Sequence, residues 1–405
     1  MFISRFRIAE GSEVEITGSK SLSNRWLVLQ KLFGSITIKN LSNARDTSVL
    51  CQALASKSDF IDIHHAGTAM RFLTAYFAIQ DGKAVTLSGS ERMKERPIRP
   101  LVEALVQMGA SISYDEKEGY PPLTIMGKKM EYSEVDIPAD ISSQFISALL
   151  LISGKLKNGL KIRLRGKATS KPYLEMTLSI LREIGIEVVV KNNTIEVLPF
   201  SKSLINKTIL VESDWSSASY FYMLAAVGRN KLTLGKFQKN SLQGDAAVVD
   251  LFRQYFGVHT EFREDGKIIL VPVQGFIYPK KIDLNMNSCP DIAQTICVTA
   301  SLLRIPFCIK GLHTLKIKET DRLSALKNEL RKMGVEVCIS EDSIRSLVFN
   351  ELPEKITVKT YNDHRMAMSF LGCGLMCDVE IEDAAVVEKS YPLFWKDIGR
   401  ITRKI

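Results

Sequence analysis

The sequence has few of the residues that build metal centres or disulfide frameworks. Its 405 residues contain seven cysteines and five histidines. The cysteines are odd in number and include no Cys-x-x-Cys pair, which argues against a disulfide scaffold. No Cys/His cluster and no His-x-x-x-His spacing occurs, so we expect no metal site. The cysteines are interpreted as buried thiols in a reducing compartment.

Long apolar runs are also missing. No apolar stretch approaches the length of a membrane span. The first twenty residues carry early acidic residues instead of the apolar core and small-residue cleavage site of a secretory signal. These features predict a cytoplasmic protein with no membrane partner. The composition, 45% hydrophobic and 24% charged, is that of an ordinary folded protein, and the length predicts two domains or three.

An excess of positive charge is present, with a formal net charge of +9. Such a charge is compatible with nucleic acid, a membrane surface or small anionic ligands. The basic residues are dispersed among 45 acidic ones rather than gathered in a stripe with aromatic residues. The pattern therefore favours small anions and argues against nucleic acid.

One sequence pattern recurs along the chain. It reads as an amphipathic helix, a glycine and then a β-rich segment, and it is centred on Gly109, Gly185, Gly257 and Gly334. The glycines recur about every 75 residues, longer than the common solenoid repeats. Each glycine is predicted to end its helix and to be followed directly by a strand. The sequence thus predicts several copies of an α/β module in two similar lobes.

A second set of helices is largely apolar and begins with polar residues. A single Ser, Thr or Asp at a helix start is explained by capping alone. Capping does not explain why basic side chains recur near these starts: Lys20, Arg25, Arg71, Arg96, Lys318, Arg322, Arg365 and Lys389. Helix N-termini offer free N–H groups, and together with arginines they bind phosphate or carboxylate. This pattern predicts a site for more than one anion.

The segment "LKIKETDRLSA", residues 315–325, concentrates such charges ahead of an amphipathic helix. Thr320 is predicted as the N-cap, and Asp321 suits the positive end of the helix dipole. Capping and surface charge are sufficient for Asp321 and Lys316.

Ten motifs carry a resemblance to a known family: "GSKSLSNR", "AGTAMR", "RMKERPI", "SSQF", "TSKPY", "SDWSSASYF", "QGD", "PDIAQT", "KETDRL" and "YNDHRMAM". From about Gly18 to Lys389 they occur in the order found in the 5-enolpyruvylshikimate 3-phosphate synthase family, so the chain resembles these enolpyruvyl transferases.

The resemblance implies an α/β fold of two lobes, each with three βαβαββ repeats around a pseudo-threefold axis and with the active site in the interlobe cleft. It implies an N-terminal lobe at 19–212 and a C-terminal lobe at 1–18 and 213–405. The reaction implied is transfer of the enolpyruvyl group of phosphoenolpyruvate to the 5-hydroxyl of shikimate 3-phosphate, by addition and elimination. Neither metal nor organic cofactor is implied, and the protein is expected to be a monomer.

The resemblance also implies roles for single residues. Asp291 would accept the proton of the 5-hydroxyl, Glu319 would manage the proton at the methylene carbon, and Lys20 would act on the phosphate side. Shikimate 3-phosphate would contact Lys20, Ser21, Arg25, Ser142, Ser143, Gln144, Ser170, Tyr173, Asp291, Thr314 and Lys318. Phosphoenolpyruvate would contact Lys20, Gly67, Arg96, Gln144, Arg322, Arg365 and Lys389. Because of its cationic neighbours Lys318 and Arg322, Glu319 should favour its ionised form unless substrate charge or burial raises its pKa.

Some positions depart from the family pattern. His64 and His65 replace a glycine and an asparagine near the phosphoenolpyruvate pocket, Thr314 stands in place of an asparagine, and Thr17 in place of a proline. Two alternatives stay open. One is the related enzyme that transfers enolpyruvate to UDP-N-acetylglucosamine, although its loop cysteine has no counterpart here. The other is a non-catalytic anion-binding protein on the same scaffold.

Overall fold

The computed structural model describes residues 1–166, 171–200 and 206–405, and these form two compact lobes. The N-terminal lobe is Ser19–Val211, and the C-terminal lobe combines Met1–Gly18 with Glu212–Ile405. The sequence placed Glu212 in the N-terminal lobe. It belongs to the other lobe because its carboxylate accepts hydrogen bonds from Trp215 Nε1 at 2.7 Å and Gln243 Nε2 at 2.9 Å.

The elements are named in chain order. Residues 1–18 contribute three short strands to the C-terminal lobe: β1 (Phe2–Ile3), β2 (Phe6–Ile8) and β3 (Glu13–Val14). The helices of the N-terminal lobe are α1 (Lys20–Phe33), α2 (Arg45–Ala55), α3 (Gly67–Ala78), α4 (Glu91–Lys94), α5 (Arg99–Gln107), α6 (Ser143–Ser153) and α7 (Lys171–Glu183). Its strands are β4 (Ile36–Lys39), β5 (Phe60–Asp62), β6 (Ala84–Ser88), β7 (Ser111–Tyr114), β8 (Leu123–Met126), β9 (Glu134–Pro138), β10 (Leu160–Arg165), β11 (Val188–Lys191), β12 (Thr194–Val197) and β13 (Lys207–Leu210).

The remainder of the chain completes the C-terminal lobe. Its helices are α8 (Trp215–Gly228), α9 (Val248–Tyr255), α10 (Ala293–Leu302), α11 (Arg322–Lys332), α12 (His364–Ser369) and α13 (Phe394–Ile401). Its strands are β14 (Leu232–Leu234), β15 (Val258–Phe262), β16 (Ile268–Pro272), β17 (Ile282–Asn285), β18 (Phe307–Lys310), β19 (Val335–Ile339), β20 (Ile344–Phe349), β21 (Lys355–Val358), β22 (Asp378–Ile381) and β23 (Thr402–Lys404). Within the described ranges, no helix is long and apolar enough to cross a membrane.

The same four-stranded sheet appears twice in each lobe. The strand orders are β5-β6-β8-β7, β9-β10-β12-β11, β3-β14-β16-β15 and β17-β18-β20-β19. In every case the first two strands pair in parallel and the other two join them antiparallel. A smaller sheet accompanies them in each lobe, β4-β13 in one and β1-β22-β21 in the other. The predicted α/β class and internal repeat are therefore confirmed.

The recurring glycines stand where the sequence predicts them. Gly109, Gly185, Gly257 and Gly334 each follow a helix (α5, α7, α9 or α11) and precede a strand. Their φ angles are 103°, 87°, 65° and 79°. This left-handed conformation lets the chain leave the helix and turn back into the sheet, and glycine adopts it without steric cost.

Apolar helices fill the interior of each lobe. Helices α3 and α6 in the N-terminal lobe, and α8 and α10 in the C-terminal lobe, bury nearly all of their residues. A helix that is apolar on every side must be surrounded by other elements. Each lobe accordingly has its own hydrophobic core.

We predict that Gly334→Ala destabilises the C-terminal lobe more than Gly275→Ala does. Both glycines have positive φ, which costs an alanine about 1–2 kcal/mol. At Gly334 the new Cβ would also lie 2.5 Å from the Glu351 carbonyl oxygen, whereas nothing lies within 4 Å at Gly275. Urea unfolding followed by tryptophan fluorescence should show an additional loss of at least about 1 kcal/mol for Gly334→Ala. Equal losses would contradict the proposed close contact.

Candidate active site

Several predicted site residues of the N-terminal lobe lie at helix N-termini. Lys20 opens α1, Gly67 opens α3, and Ser142 caps α6, where its hydroxyl accepts a hydrogen bond from Gln144 N at 3.3 Å. The Lys20 ammonium lies 3.2 Å from the buried carboxylate of Asp46, in the first turn of α2. These starts present free N–H groups and partial positive charge, which favour an anionic ligand.

Arg25 joins three helices through its buried guanidinium. It donates to Thr177 Oγ1 at 2.8 Å, Ser147 Oγ at 3.1 Å, Ser21 O at 2.9 Å and Tyr173 O at 3.2 Å. Burial lowers the pKa of Arg25 to about 10. Since α1, α6 and α7 all contribute acceptors, Arg25 brings Ser21 and Tyr173 to the same end of the lobe.

Arg96 lies against the first residue of α3. A Cβ added at Gly67 would approach the guanidinium nitrogens of Arg96 to 2.4 and 2.8 Å, so a larger residue here would displace the Arg96 guanidinium. The Nε atom of Arg96 is buried and has no hydrogen-bond partner among the described residues. Gln144 Nε2 donates to Thr68 Oγ1 at 3.3 Å and so joins the start of α6 to the start of α3. Arg96, Gly67 and Gln144 therefore share one region of the N-terminal lobe.

Two further predictions concern the N-terminal lobe. Ser170 lies outside the described residues. Ser143 is the first residue of α6 and is buried.

The two histidines that depart from the family pattern are exposed. His65 Nδ1 lies 2.7 Å from Ser90 Oγ, and His64 Nδ1 lies 3.5 Å from Asp62.

Arg322 is the centre of the cluster in the C-terminal lobe. Its guanidinium donates to three carboxylates: Asp363 at 2.7 Å, Glu319 at 2.8 Å and Asp291 at 3.1 Å. The Arg322 side chain is 2% exposed and that of Asp363 is 0% exposed. Burial lowers the pKa of Arg322, but the three carboxylates outweigh that effect and raise it above its usual value. The charge of Arg322 is therefore fixed by its partners.

Asp291 lies in a short 3₁₀ helix just before α10 and is surrounded by cations. Its carboxylate is 3.0 Å from Arg365 Nη2, 3.1 Å from Arg322 Nη1 and 3.5 Å from Lys318 Nζ. Burial opposes ionisation, yet Arg365, Lys318 and Arg322 hold the pKa of Asp291 well below its usual value. Asp291 is consequently ionised at neutral pH.

Glu319 pairs with two cations from different segments. Its carboxylate oxygens lie 2.8 Å from Arg322 Nη2 and 2.9 Å from Lys389 Nζ. The sequence placed Lys318 and Arg322 beside Glu319, and the structure adds Lys389 to this group. Both Glu319 and Asp291 thus contact Arg322, each with a further cation.

The segment before α11 corrects one prediction. The N-cap is Asp321, which accepts hydrogen bonds from Leu323 N at 3.1 Å and Ser324 N at 3.2 Å; the predicted cap, Thr320, precedes it. A carboxylate is a stronger acceptor for the helix N–H groups than a hydroxyl. Lys316 pairs with exposed Glu341 at 2.9 Å, as expected for a surface charge. Thr314 is buried, and its Oγ1 has no partner among the described residues.

Four residues of these clusters were not assigned by sequence reasoning. They are Asp46, Ser216, Asp245 and Asp363. Asp245 is buried and accepts a hydrogen bond from Ser216 Oγ, which also accepts one from Arg365 Nη2 at 3.3 Å. Burial, and then the charge of Asp291, raise the pKa of Asp245 to about 7. Three of the four lie in the motifs "SDWSSASYF", "QGD" and "YNDHRMAM". These motifs could therefore have indicated them as candidate site residues.

The side chains of the C-terminal cluster can bind anions and exchange protons. Four cations (Lys318, Arg322, Arg365 and Lys389) accompany three carboxylates (Asp291, Glu319 and Asp363). An anionic ligand would compete with the carboxylates for these cations and thereby alter the carboxylate pKa values. In the described part of the chain, no group of His, Cys, Asp and Glu residues is arranged to hold a metal ion.

Comparisons with known proteins agree along the whole chain. The family model of EPSP synthase (3-phosphoshikimate 1-carboxyvinyltransferase) matches residues 50–398. A 3-phosphoshikimate 1-carboxyvinyltransferase of Bacteroides fragilis (strain YCH46) is 40% identical over 400 residues, covering 96% of this chain and 94% of the relative. One from Pasteurella multocida (strain Pm70) is 36% identical, with 96% and 95% covered. A solved structure of EPSP synthase from Acinetobacter baumannii, 21% identical, matches with a TM-score of 0.73 over 99% of this chain and 98% of that chain. The family resemblance seen in the motifs is thereby confirmed.

We predict that Asp245→Asn stabilises the C-terminal lobe at high pH. The folded-state pKa of about 7 exceeds the ordinary value of 3.8. The wild type therefore loses stability as the pH rises through this interval, and the loss levels off above about pH 7. Asparagine cannot ionise, so between pH 5 and pH 8 the variant should gain roughly 2.7 kcal/mol relative to wild type, because this interval contains about two pKa units of the effect at about 1.4 kcal/mol each. Urea unfolding at several pH values measures this difference.

The control is Asp250→Asn, which changes an exposed carboxylate on α9 that pairs with Arg253. Its effect should be nearly independent of pH. If Asp245→Asn behaved in the same way, the buried, protonated state of Asp245 would be refuted.

Proposed function

The chain belongs to the EPSP synthase family, and we propose that it transfers the enolpyruvyl group of phosphoenolpyruvate to the 5-hydroxyl of shikimate 3-phosphate with release of phosphate. The observation that carries this proposal is that Asp291 and Glu319 share one buried arginine and are each paired with another cation. The arrangement supplies two proton-exchanging carboxylates among groups suited to phosphate and carboxylate ligands.

We assign the substrates as the family resemblance implies. Arg322, Arg365 and Lys389, with Lys20, Gly67, Arg96 and Gln144, would bind phosphoenolpyruvate. The fork of an arginine suits its carboxylate and phosphate oxygens better than a lysine does. The hydroxyls of Ser21, Ser142, Ser143 and Ser170, with Arg25, Tyr173, Thr314 and Lys318, would bind shikimate 3-phosphate.

The chemistry proceeds in two steps. In the addition, the 5-oxygen of shikimate 3-phosphate bonds to C2 of phosphoenolpyruvate, its proton passes to Asp291, and Glu319 gives a proton to the methylene carbon. In the elimination, the bond from C2 to the phosphate oxygen breaks and Glu319 recovers a proton from the new methyl group. Lys20 would balance the charge that develops on the leaving phosphate. The proton held by Asp291 passes through solvent to this phosphate, which leaves as hydrogen phosphate, so both carboxylates return to their starting states.

The negative charge of the bound substrates shifts the protonation equilibrium of both carboxylates in the direction that these roles require. Arg365 and Lys318 hold Asp291 ionised, and a carboxylate of such low pKa is a weak base. Bound phosphate and carboxylate groups would share those cations, which raises the pKa of Asp291 and strengthens it as a base. By the same argument, a substrate anion near Arg322 and Lys389 favours the protonated form of Glu319.

The other properties proposed for the protein come from its sequence. We infer that it acts in the cytoplasm as a monomer, without a metal or organic cofactor. Its partners would be its two substrates, with neither nucleic acid nor membrane involved. The alternative acceptor, UDP-N-acetylglucosamine, is not favoured, because the curated relatives described above carry the name of the shikimate enzyme.

The direct test is phosphate release from phosphoenolpyruvate by the purified protein in the presence of a chelator. One reaction contains shikimate 3-phosphate and a second contains UDP-N-acetylglucosamine. We expect release only in the first. Release only in the second would move the assignment to the related transferase. No release in either, with shikimate 3-phosphate still bound, would support the non-catalytic alternative.

We predict that Asp291→Asn and Glu319→Gln fold normally and lose turnover by about 10²-fold or more, the usual contribution of general acid–base catalysis. Both changes keep the shape of the side chain and remove its ability to exchange the proton. The matched control is Glu341→Gln, since Glu341 is exposed and pairs only with Lys316 among the described contacts. Steady-state kcat and a thermal unfolding curve are measured for each. Near wild-type rates in both site variants would refute the assigned roles.

A further inference from the structure

Glu329 is a buried carboxylate that the proposed chemistry does not use. It lies on α11, seven residues after Arg322, and its side chain is 0% exposed. Its oxygens accept hydrogen bonds from Tyr361 Oη at 2.8 Å, Lys359 N at 3.0 Å and Lys332 Nζ at 2.8 Å. A buried carboxylate needs such partners to offset its loss of hydration.

The segment that Glu329 contacts has an unusual backbone. Tyr361 and Asn362 are consecutive residues with φ angles of 54° and 55°, and neither is a glycine. Left-handed residues of this kind cost about 1 kcal/mol or more each and persist only where the surrounding structure holds them. Asn362 is exposed, whereas Tyr361 and Lys359 both contact Glu329, and these contacts hold the start of the turn against α11.

The turn leads directly into two residues of the candidate site. Asp363 follows Asn362, caps α12 by accepting a hydrogen bond from Arg365 N at 2.8 Å, and also accepts one from Arg322 Nε at 2.7 Å. Arg365 in turn donates to Asp291 at 3.0 Å. A change in the direction of the turn would therefore move Arg365.

Helix α11 holds this segment at two points. Residues seven apart on a helix lie about two turns apart on the same face, so Arg322 and Glu329 face the same stretch of chain. Arg322 contacts Asp363 after the turn, and Glu329 contacts Lys359 and Tyr361 before and within it. Burial, and then the hydrogen bond to Glu329, raise the pKa of Tyr361 to about 12, so its hydroxyl remains a donor at physiological pH.

We propose that Glu329 is a positioning residue for phosphoenolpyruvate binding: it holds the left-handed turn at Tyr361 and Asn362 and thereby sets the place of Arg365. The proposal rests on the proposed function, in which Arg365 binds phosphoenolpyruvate. It differs from a merely stabilising role because it predicts a selective effect on one substrate.

The test uses Glu329→Gln and Tyr361→Phe. The glutamine keeps the size of the side chain but removes its negative charge, which weakens its hydrogen bonds with Lys332 Nζ, Lys359 N and Tyr361 Oη, and the phenylalanine removes only the hydroxyl. We expect the KM for phosphoenolpyruvate to rise about tenfold in the first and about threefold in the second, as for the loss of hydrogen bonds to a charged group. The KM for shikimate 3-phosphate should change by less than about twofold. Tyr222→Phe is the matched control, because it removes a buried tyrosine hydroxyl bond, to Thr260 Oγ1 at 2.7 Å, in the same lobe.

A second substitution distinguishes a positioning role of Glu329 from a purely stabilising one. Glycine adopts positive φ freely, so adding Asn362→Gly to Glu329→Gln should lower the KM for phosphoenolpyruvate by at least about threefold relative to Glu329→Gln alone. A purely stabilising role for Glu329 gives no reason for this rescue. An unchanged KM in Glu329→Gln, an equal rise for both substrates, or no rescue by the glycine would each overturn the proposal.

Failure of the proposed function and failure of the positioning role would give different experimental results. If the wild-type protein released no phosphate with shikimate 3-phosphate, the function would fail regardless of Glu329. Amide hydrogen exchange tests the turn without activity: exchange in residues 359–365 should be faster in Glu329→Gln than in wild type, and unchanged in Tyr222→Phe. Unchanged exchange in Glu329→Gln would overturn the positioning role on its own.

Discussion

The candidate site of the C-terminal lobe depends on a single buried guanidinium. Arg322 donates to carboxylates from three separate segments, which precede α10, α11 and α12. Burying one of these charges alone would cost several kcal/mol, and the cost is offset only when the partners meet with good geometry. The ion-pair network therefore fixes the segments relative to one another. Asp291 and Glu319 are both held in place by the Arg322 guanidinium.

The N-terminal lobe also buries an arginine, but its hydrogen-bond acceptors are of a different kind. Its buried Arg25 is surrounded by hydroxyl and carbonyl oxygens rather than by carboxylates. Neutral acceptors do not compensate for the lost hydration of a cation as fully as carboxylates do, which agrees with the lowered pKa of Arg25 and the raised pKa of Arg322. Two lobes made of one repeated unit thus differ in how their buried charge is compensated.

Local features of the sequence predict the architecture well. The four glycines that end α5, α7, α9 and α11 follow from backbone sterics, which act within a few residues and leave a clear signal. The motifs likewise indicate Asp291, Glu319 and Arg322 as members of a site. The sequence could not show that Lys389 pairs with Glu319, or that Asp245 lies beside Asp291, because those contacts join segments 70 and 46 residues apart (389−319, 291−245). The cap at Asp321 was misplaced by one residue, since Thr320 and Asp321 are both good caps and only the geometry distinguishes them.

The split course of the chain has a consequence for biosynthesis. Strand β3 pairs with β14, β1 pairs with β22, β2 pairs with β23, and Gly18 forms a bridge with Ser213, so the strand partners of residues 1–18 all lie beyond residue 212. A ribosome delivers residues 19–211 before any of these partners exists. During translation the N-terminal lobe can therefore assemble first, while β3 waits for β14, and β1 and β2 wait for β22 and β23 near the end of the sequence. The C-terminal lobe includes both residues 1–18 and β23, so its sheets cannot all form before residues 402–404 have been made.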